Sequence, residues 1–276
     1  MKVIKNFFRE LFTRFGEDDV GGMAAQLAYF FLLSLFPFMI FLLTLLGYLH
    51  IDEQRVLTFV SAYAPADTFE IITENVTSLF SDENGSLLSI GLVGTLWAAS
   101  NGVNAIMRAF NRAHSVKESR SFIVSRMIAI VLTIAMVVVI GIAFLLPVAG
   151  QAIGVHLFSY FGLSESFIGL WNGLRWVISS VIFYVVLSFL YVTAPNKRLK
   201  YRDTVGGAVF ATISWQLVSL LFSFYVSNLG NFSAMYGSLG GVIVLMIWLY
   251  LSGIVIILGG EINAMTYHRR TEDTWG

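Results

Sequence analysis

The sequence has 276 residues, of which 57% are hydrophobic and only 12% charged, and its mean hydropathy is +0.77. A chain this apolar is not an ordinary soluble domain; it reads as an all-α polytopic membrane protein. Its 17 basic and 17 acidic residues cancel, so net charge makes no case for an acidic or nucleic-acid partner, and the absence of cysteine excludes disulfides, thiolate metal sites and cysteine nucleophiles.

Residues Met1 to Phe15 place Val3, Ile4, Phe7, Phe8, Leu11, Phe12 and Phe15 on one helical face with basic residues elsewhere, the pattern of a helix lying in the membrane interface or packed on the ends of other helices. Six apolar spans follow, at about 24–49, 87–110, 127–149, 176–194, 205–226 and 239–264. The first opens with the small pair Ala24 and Ala28 and contains Pro37. After it, the acidic stretch from His50 to Ser86 keeps apolar residues at helical spacing and predicts one or two short extracytoplasmic helices. The stretch from Gly150 to Leu174 reads as a linker rich in interfacial aromatic residues. In the fifth span, Gly206, Gly207 and Ala211 offer a surface for close helix approach, and Gln216 falls near mid-membrane.

Orientation follows from the basic residues. With six spans and a cytoplasmic N-terminus, every lysine and arginine except Arg55 and Arg175 lies on the cytoplasmic side, and both termini are inside. The densest basic cluster, Lys197, Arg198, Lys200 and Arg202, then sits in a cytoplasmic connection, where it enforces topology or meets lipid headgroups.

The second span departs from simple apolarity. Trp97, Asn101, Asn104, Arg108 and Asn111 recur at i, i+4, i+7, i+11 and i+14, which is one helical face, and hydrocarbon cannot hydrogen-bond an amide or a guanidinium. In the orientation above, Gln26 and Tyr29 of the first span and Glu261 and Asn263 of the sixth lie in the same inner leaflet, and Gly259 and Gly260 would let another helix come close. Arg108 and Glu261 are expected near each other, with Arg126 and Arg202 as other partners for the carboxylate. The face reads either as a substrate pathway or as hydrogen bonding that holds helices together, with Arg108 snorkelling to headgroups.

Four stretches carry a resemblance: AAQLAYFFLLSLFPF from Ala24, LWAASNGVNAIMRAFNRAHSVKESRSF from Leu96, LYVTAPNKRLKYRDTVGGAVFA from Leu190, and SFYVSNLGNFSAMYGSLGGVIVLMIWLYLSGIVIILGGEINA from Ser223. In these the chain resembles the YihY/BrkB family of bacterial inner-membrane proteins, sometimes labelled ribonuclease BN-like. The resemblance implies six transmembrane helices in the bacterial cytoplasmic membrane, and no catalytic residues are carried over with it. The ribonuclease label fits poorly, because phosphodiester hydrolysis needs a metal cradle or a paired acid and base. The cytoplasmic loops group no acids beyond Glu17, Asp18 and Asp19, and the histidines His50, His114, His156 and His268 are isolated in sequence.

Two functions remain: a transporter or lipid translocase with a polar cavity open to the cytoplasmic leaflet, bounded by the first, second, fifth and sixth spans, or a non-transporting scaffold whose loops bind a partner. No enzyme activity, metal or cofactor is expected. The expected partners are membrane lipids and a small amphiphilic or anionic substrate, with no nucleic acid; the oligomeric state is left open.

Overall fold

A computed structural model describes residues 2–48, 73, 85–138, 164–228 and 236–272, and every extended element among them is helical. The helices are α1 (Lys2–Glu17), α2 (Val20–Tyr48), α3 (Gly85–Ala113), α4 (Phe122–Val138), α5 (Ser164–Thr193), α6 (Tyr201–Asn228) and α7 (Gly240–Glu272), the last entered through a 3-10 turn at Gly237–Leu239. Four of them, α2, α3, α6 and α7, are long and apolar enough to cross a membrane; the apolar parts described in α4 and α5, Phe122–Val138 and Val177–Thr193, are shorter. The short helices expected after the first span, and the far end of the third span, lie outside the described residues.

Several boundaries differ from the sequence reading: α2 and α6 begin four residues early, at Val20 and Tyr201, and α7 runs on to Glu272. Helix α4 begins at Phe122 rather than Met127, which brings Arg126 inside the helix. Helix α5 begins at Ser164, so its first two turns and more occupy what reads as linker. Before Met127 the chain carries no glycine or proline back to Phe122, so the helix starts earlier, whereas α5 runs on through Gly169, Asn172 and Gly173 despite their turn preference.

The bundle is closed by small residues. A Cβ on Gly91 would strike the backbone of Phe41, one on Gly102 the Phe31 ring, and one on Gly253 the backbone of Ala24. Helices α6 and α7 approach most closely, where a Cβ on Gly207 would overlap the Gly259 carbonyl, and Gly260 makes room for the Phe110 ring. Between them lies a core of Val20, Leu27, Val103, Ile106, Phe110, Tyr191 and Ile257, all essentially without exposed surface. Small residues let backbones approach, and dispersion replaces the hydrophobic drive that lipid cannot supply. Buried side chains thus pack against one another at these described positions between α2, α3, α6 and α7.

Helix α1 packs across one end of this bundle. Leu11 and Phe7 contact Ile262 and Met265 of α7, while Phe8 and Phe12 face outward. Asp19, with positive φ, accepts a hydrogen bond from Gly22 N–H at 3.3 Å and so starts α2. At the same end, Asn196 N–H donates to Asn111 Oδ1 at 2.6 Å, and Arg120 donates to the Pro195 carbonyl at 2.8 Å, tying the α3–α4 and α5–α6 connections together. This is the charged end of the molecule.

Candidate functional site

The polar face of α3 is used from both sides. Toward α4, Arg126 donates through Nη1 to Asn101 Oδ1 at 2.5 Å and through Nη2 to the Trp97 carbonyl at 3.1 Å, with its guanidinium carbon 3.9 Å from the Trp97 ring centroid. Ser125 donates to Asn104 Oδ1 at 3.4 Å. Toward α2, Arg108 donates to Gln26 Oε1 at 3.1 Å. Asn111 donates to Glu118 Oε2 at 2.9 Å while its carbonyl oxygen takes the Asn196 N–H, so it organises the connections rather than the face above it.

Exposure divides these residues further. Tyr29 and Trp97 are 58% and 57% exposed, Gln26 and Arg108 are exposed beside them, and Asn101 and Asn104 are half-buried. Amides, a phenol and a guanidinium thus stand on the outside of helices whose other outward residues are Leu33, Phe36, Ile90 and Val93. Asn101 lies about 18 Å along α3 from Ala113 at the helical rise, close to the middle of a helix long and apolar enough to cross a membrane.

Arg126 is the residue that sequence reading misses as part of this face. Only 8% of it is exposed, its Nε has no hydrogen-bond partner, and all its contacts among the described residues are neutral. A guanidinium so placed is under-compensated, and a nearby anion would be attracted to it. The available sequence signal is an arginine four residues inside a segment that otherwise begins Phe122, Ile123, Val124.

Glu261 and Arg108 are not brought together as expected. Glu261, fully buried, is met by Arg14 of α1, whose Nη1 lies 3.4 Å from Oε2 and also donates to the Ala113 carbonyl at 3.3 Å. The expectation fails because α1 folds across the end of α7 and delivers a guanidinium there, while Arg108 points to the other side of α3. Neither Arg126 nor Arg202 serves the carboxylate: Arg126 faces Asn101, and Arg202 lies 4.0 Å from Asp203. Asn263 bonds across the close α6–α7 contact, its Oδ1 accepting Gly207 N–H at 2.7 Å, and Gln216 donates to Ser180 Oγ at 2.6 Å between α6 and α5. These two, with Glu261 and Asn111, lie apart from the exposed face formed by Gln26, Tyr29, Trp97, Asn101, Asn104 and Arg108.

In the basic connection, Lys197 sits with Nζ 4.2 Å from the Tyr267 ring centroid, and burial lowers its pKa; Arg198, Lys200 and Arg202 are exposed. His114 packs edge-on to Tyr267 and His268 with a buried Nδ1 that has no partner. Burial first, then the charges of Lys197, His268 and Arg14 against a weaker opposing effect of Asp203, bring the His114 pKa down to about 4. No group of three or more His, Asp or Glu suited to a metal occurs among the described residues.

Comparison with known proteins places this arrangement. The model of the family described as "Virulence factor BrkB" matches residues 11–275. The chain is 51% identical over 96% of its length to the "Putative ribonuclease-like protein YfkH" of Bacillus subtilis, covering 96% of that protein. It is 28% identical over 98% of its length to a "UPF0761 membrane protein" of Chromohalobacter salexigens, covering 65% of it, and 27% identical over 94% of its length to one of Tolumonas auensis, covering 85%. No solved structure matches. With the family model matching residues 11–275 and a relative 51% identical over 96% of the chain, the chain belongs to the BrkB family of membrane proteins.

Proposed function

We propose that the protein is a bacterial inner-membrane translocase for an anionic amphiphile, with six spans, both termini cytoplasmic and α1 partly in the inner headgroup layer. One observation carries the reading: Arg108, Gln26, Tyr29 and Trp97 are exposed together on helices whose other outward residues are apolar, a polar strip that starts near the charged end and runs along surfaces where lipid tails would offer no hydrogen-bond partner. A headgroup moving along this face meets amides and two guanidiniums, Arg108 and Arg126, and the face itself carries no carboxylate. Donors without competing acids suit a phosphate or carboxylate. The route is the outer side of α3, between α2 and α4, and its tail remains in the bilayer while the polar head follows the face.

A second reading has its own support. Asn101, Asn111, Gln216 and Asn263 each have a protein partner, as expected of a scaffold that uses polar residues to fasten helices. Of the acids grouped at Glu17, Asp18 and Asp19, Asp18 pairs with Arg112 at 3.4 Å and Asp19 caps α2, uses that favour structure over nuclease chemistry. The discriminating experiment is transbilayer movement of fluorescent anionic amphiphiles in proteoliposomes. Wild-type protein accelerates it, and Asn101→Leu combined with Arg108→Leu returns it to the rate of empty vesicles without loss of monodispersity. A folded protein that moves no member of the panel leaves the scaffold.

A further inference from the structure

A second feature lies on the other side of α4. Helices α4, α5 and α6 enclose a cleft of about 620 Å³ lined almost wholly by apolar side chains, among them Met136, Tyr184, Val185, Phe189 and Val205. Two polar residues interrupt that lining. One is Arg202, in the first turn of α6, which is exposed and has only a distant 4.0 Å contact with Asp203, a carboxylate engaged by Arg270 at 2.7 Å. The other is Ser188, which is buried.

Ser188 differs from its counterparts. Inside these helices Thr44, Thr95, Thr133, Thr193 and Thr212 each donate to the carbonyl four residues earlier, at 2.6 to 2.8 Å. The Ser188 hydroxyl makes no such bond and has no other partner, although it is buried at the cleft. A buried hydroxyl left without a partner is destabilising, and a rotamer change that turns it toward the cleft would let an acceptor there complete it. It lies roughly 8 Å before the end of α5 at the helical rise. The headgroup layer of a bilayer is about 5–8 Å thick.

We infer that this cleft holds one acyl chain of an anionic glycerophospholipid, with the phosphate on Arg202 and an ester carbonyl accepting from Ser188. The apolar lining takes the chain, the buried donor takes the ester, and the cation at the charged end selects the headgroup. Arg198 and Lys200, exposed on the same connection, add to the positive field there. The bound lipid is a resident of the fold, held apart from the α3 face proposed above as the route of translocation, and the inference does not depend on that route.

Photolabelling tests it with the full chain in nanodiscs of phosphatidylcholine containing a minor fraction of phosphatidylglycerol that carries a diazirine in one acyl chain. Adducts are expected on α4, α5 and α6 at cleft residues such as Met136 and Phe189, severalfold above those from the phosphatidylcholine analogue. Arg202→Gln, an exposed substitution with little bearing on folding, removes the difference between headgroups; Ser188→Val lowers yield for the anionic lipid, and Ala135→Phe blocks labelling by both. Substitutions at Asn101 and Arg108 leave the pattern unchanged. Equal labelling by the two headgroups, or labelling indifferent to Arg202→Gln, means ordinary boundary lipid and overturns the inference. If Ala135→Phe fails to fold, the Arg202→Gln arm decides alone.

Discussion

Arg14 of α1 and Glu261 of α7 form an ion pair, Nη1 to Oε2 3.4 Å, in which the carboxylate has no exposed surface at all. Helix α1 thereby supplies the cation that hydrogen-bonds this carboxylate, with Arg112 at the end of α3 adding a weaker attraction, and Glu261 Oε1 has no partner of its own. Removing one member of a buried pair leaves the other uncompensated and typically costs about 3–5 kcal/mol. Arg14→Met is expected to destabilise by that order, and adding Glu261→Gln to recover a good part of it. Denaturant titration of the four proteins of the cycle in detergent gives the coupling energy; a value of zero would mean that the pair holds nothing together.

The glycines of the α6–α7 contact make a sharper packing test. Gly207→Val places methyl groups where the Gly259 carbonyl and Asn263 already are, and a backbone atom cannot step aside as a flexible side chain can. Overpacking of this kind costs about 1–3 kcal/mol or more, and here it also breaks the Gly207 N–H to Asn263 bond. Gly241→Ala, with nothing within 4 Å of the added Cβ, serves as the control and should leave thermal stability in detergent unchanged.

Orientation is testable because the chain has no cysteine. In intact cells an impermeant thiol reagent should label Asp82→Cys and Asn231→Cys, and should label Lys117→Cys and Lys200→Cys only after permeabilisation. Labelling of Lys200→Cys in sealed cells contradicts the proposed topology.

Much of this fold is legible in the sequence because lipid imposes long apolar runs and forbids unpaired backbone, so the positions of α2, α3, α6 and α7 follow from hydropathy alone. The face of α3 is equally legible, since helical periodicity puts Trp97, Asn101, Asn104 and Arg108 on one side whatever surrounds them. What periodicity cannot supply is the azimuth of the neighbouring helices. That is why the face turns out to be divided between Gln26 on α2 and Arg126 on α4, why Glu261 is met by Arg14, and why Gln216 and Asn263 belong to separate helix contacts. The place of Arg126 on this face is missed for a simpler reason: it reads as a basic residue of a short loop, free to meet Glu261, until α4 is seen to begin before it.

The buried His114 gives a pH dependence with a definite sign. Its pKa is about 4 in the folded protein against 6.5 ordinarily, so between those values the unfolded chain binds more protons and stability falls as pH falls. The full contribution is present above pH 6.5. From there to pH 5 the loss is about 2 kcal/mol at 1.36 kcal/mol per unit. Wild-type protein should lose this much relative to His114→Gln over the same interval; parallel pH profiles for the two proteins would show that His114 does not titrate differently on unfolding.

The most direct test of the central claim, that the α3 face conducts an anionic headgroup, is the ratio of transbilayer rates for fluorescent phosphatidylglycerol and phosphatidylcholine in the same proteoliposomes, followed by dithionite quenching. The account predicts a ratio above one that falls to one in Arg108→Gln while the protein stays folded. Equal rates in wild type, or rates for both lipids no faster than in empty vesicles, would contradict it.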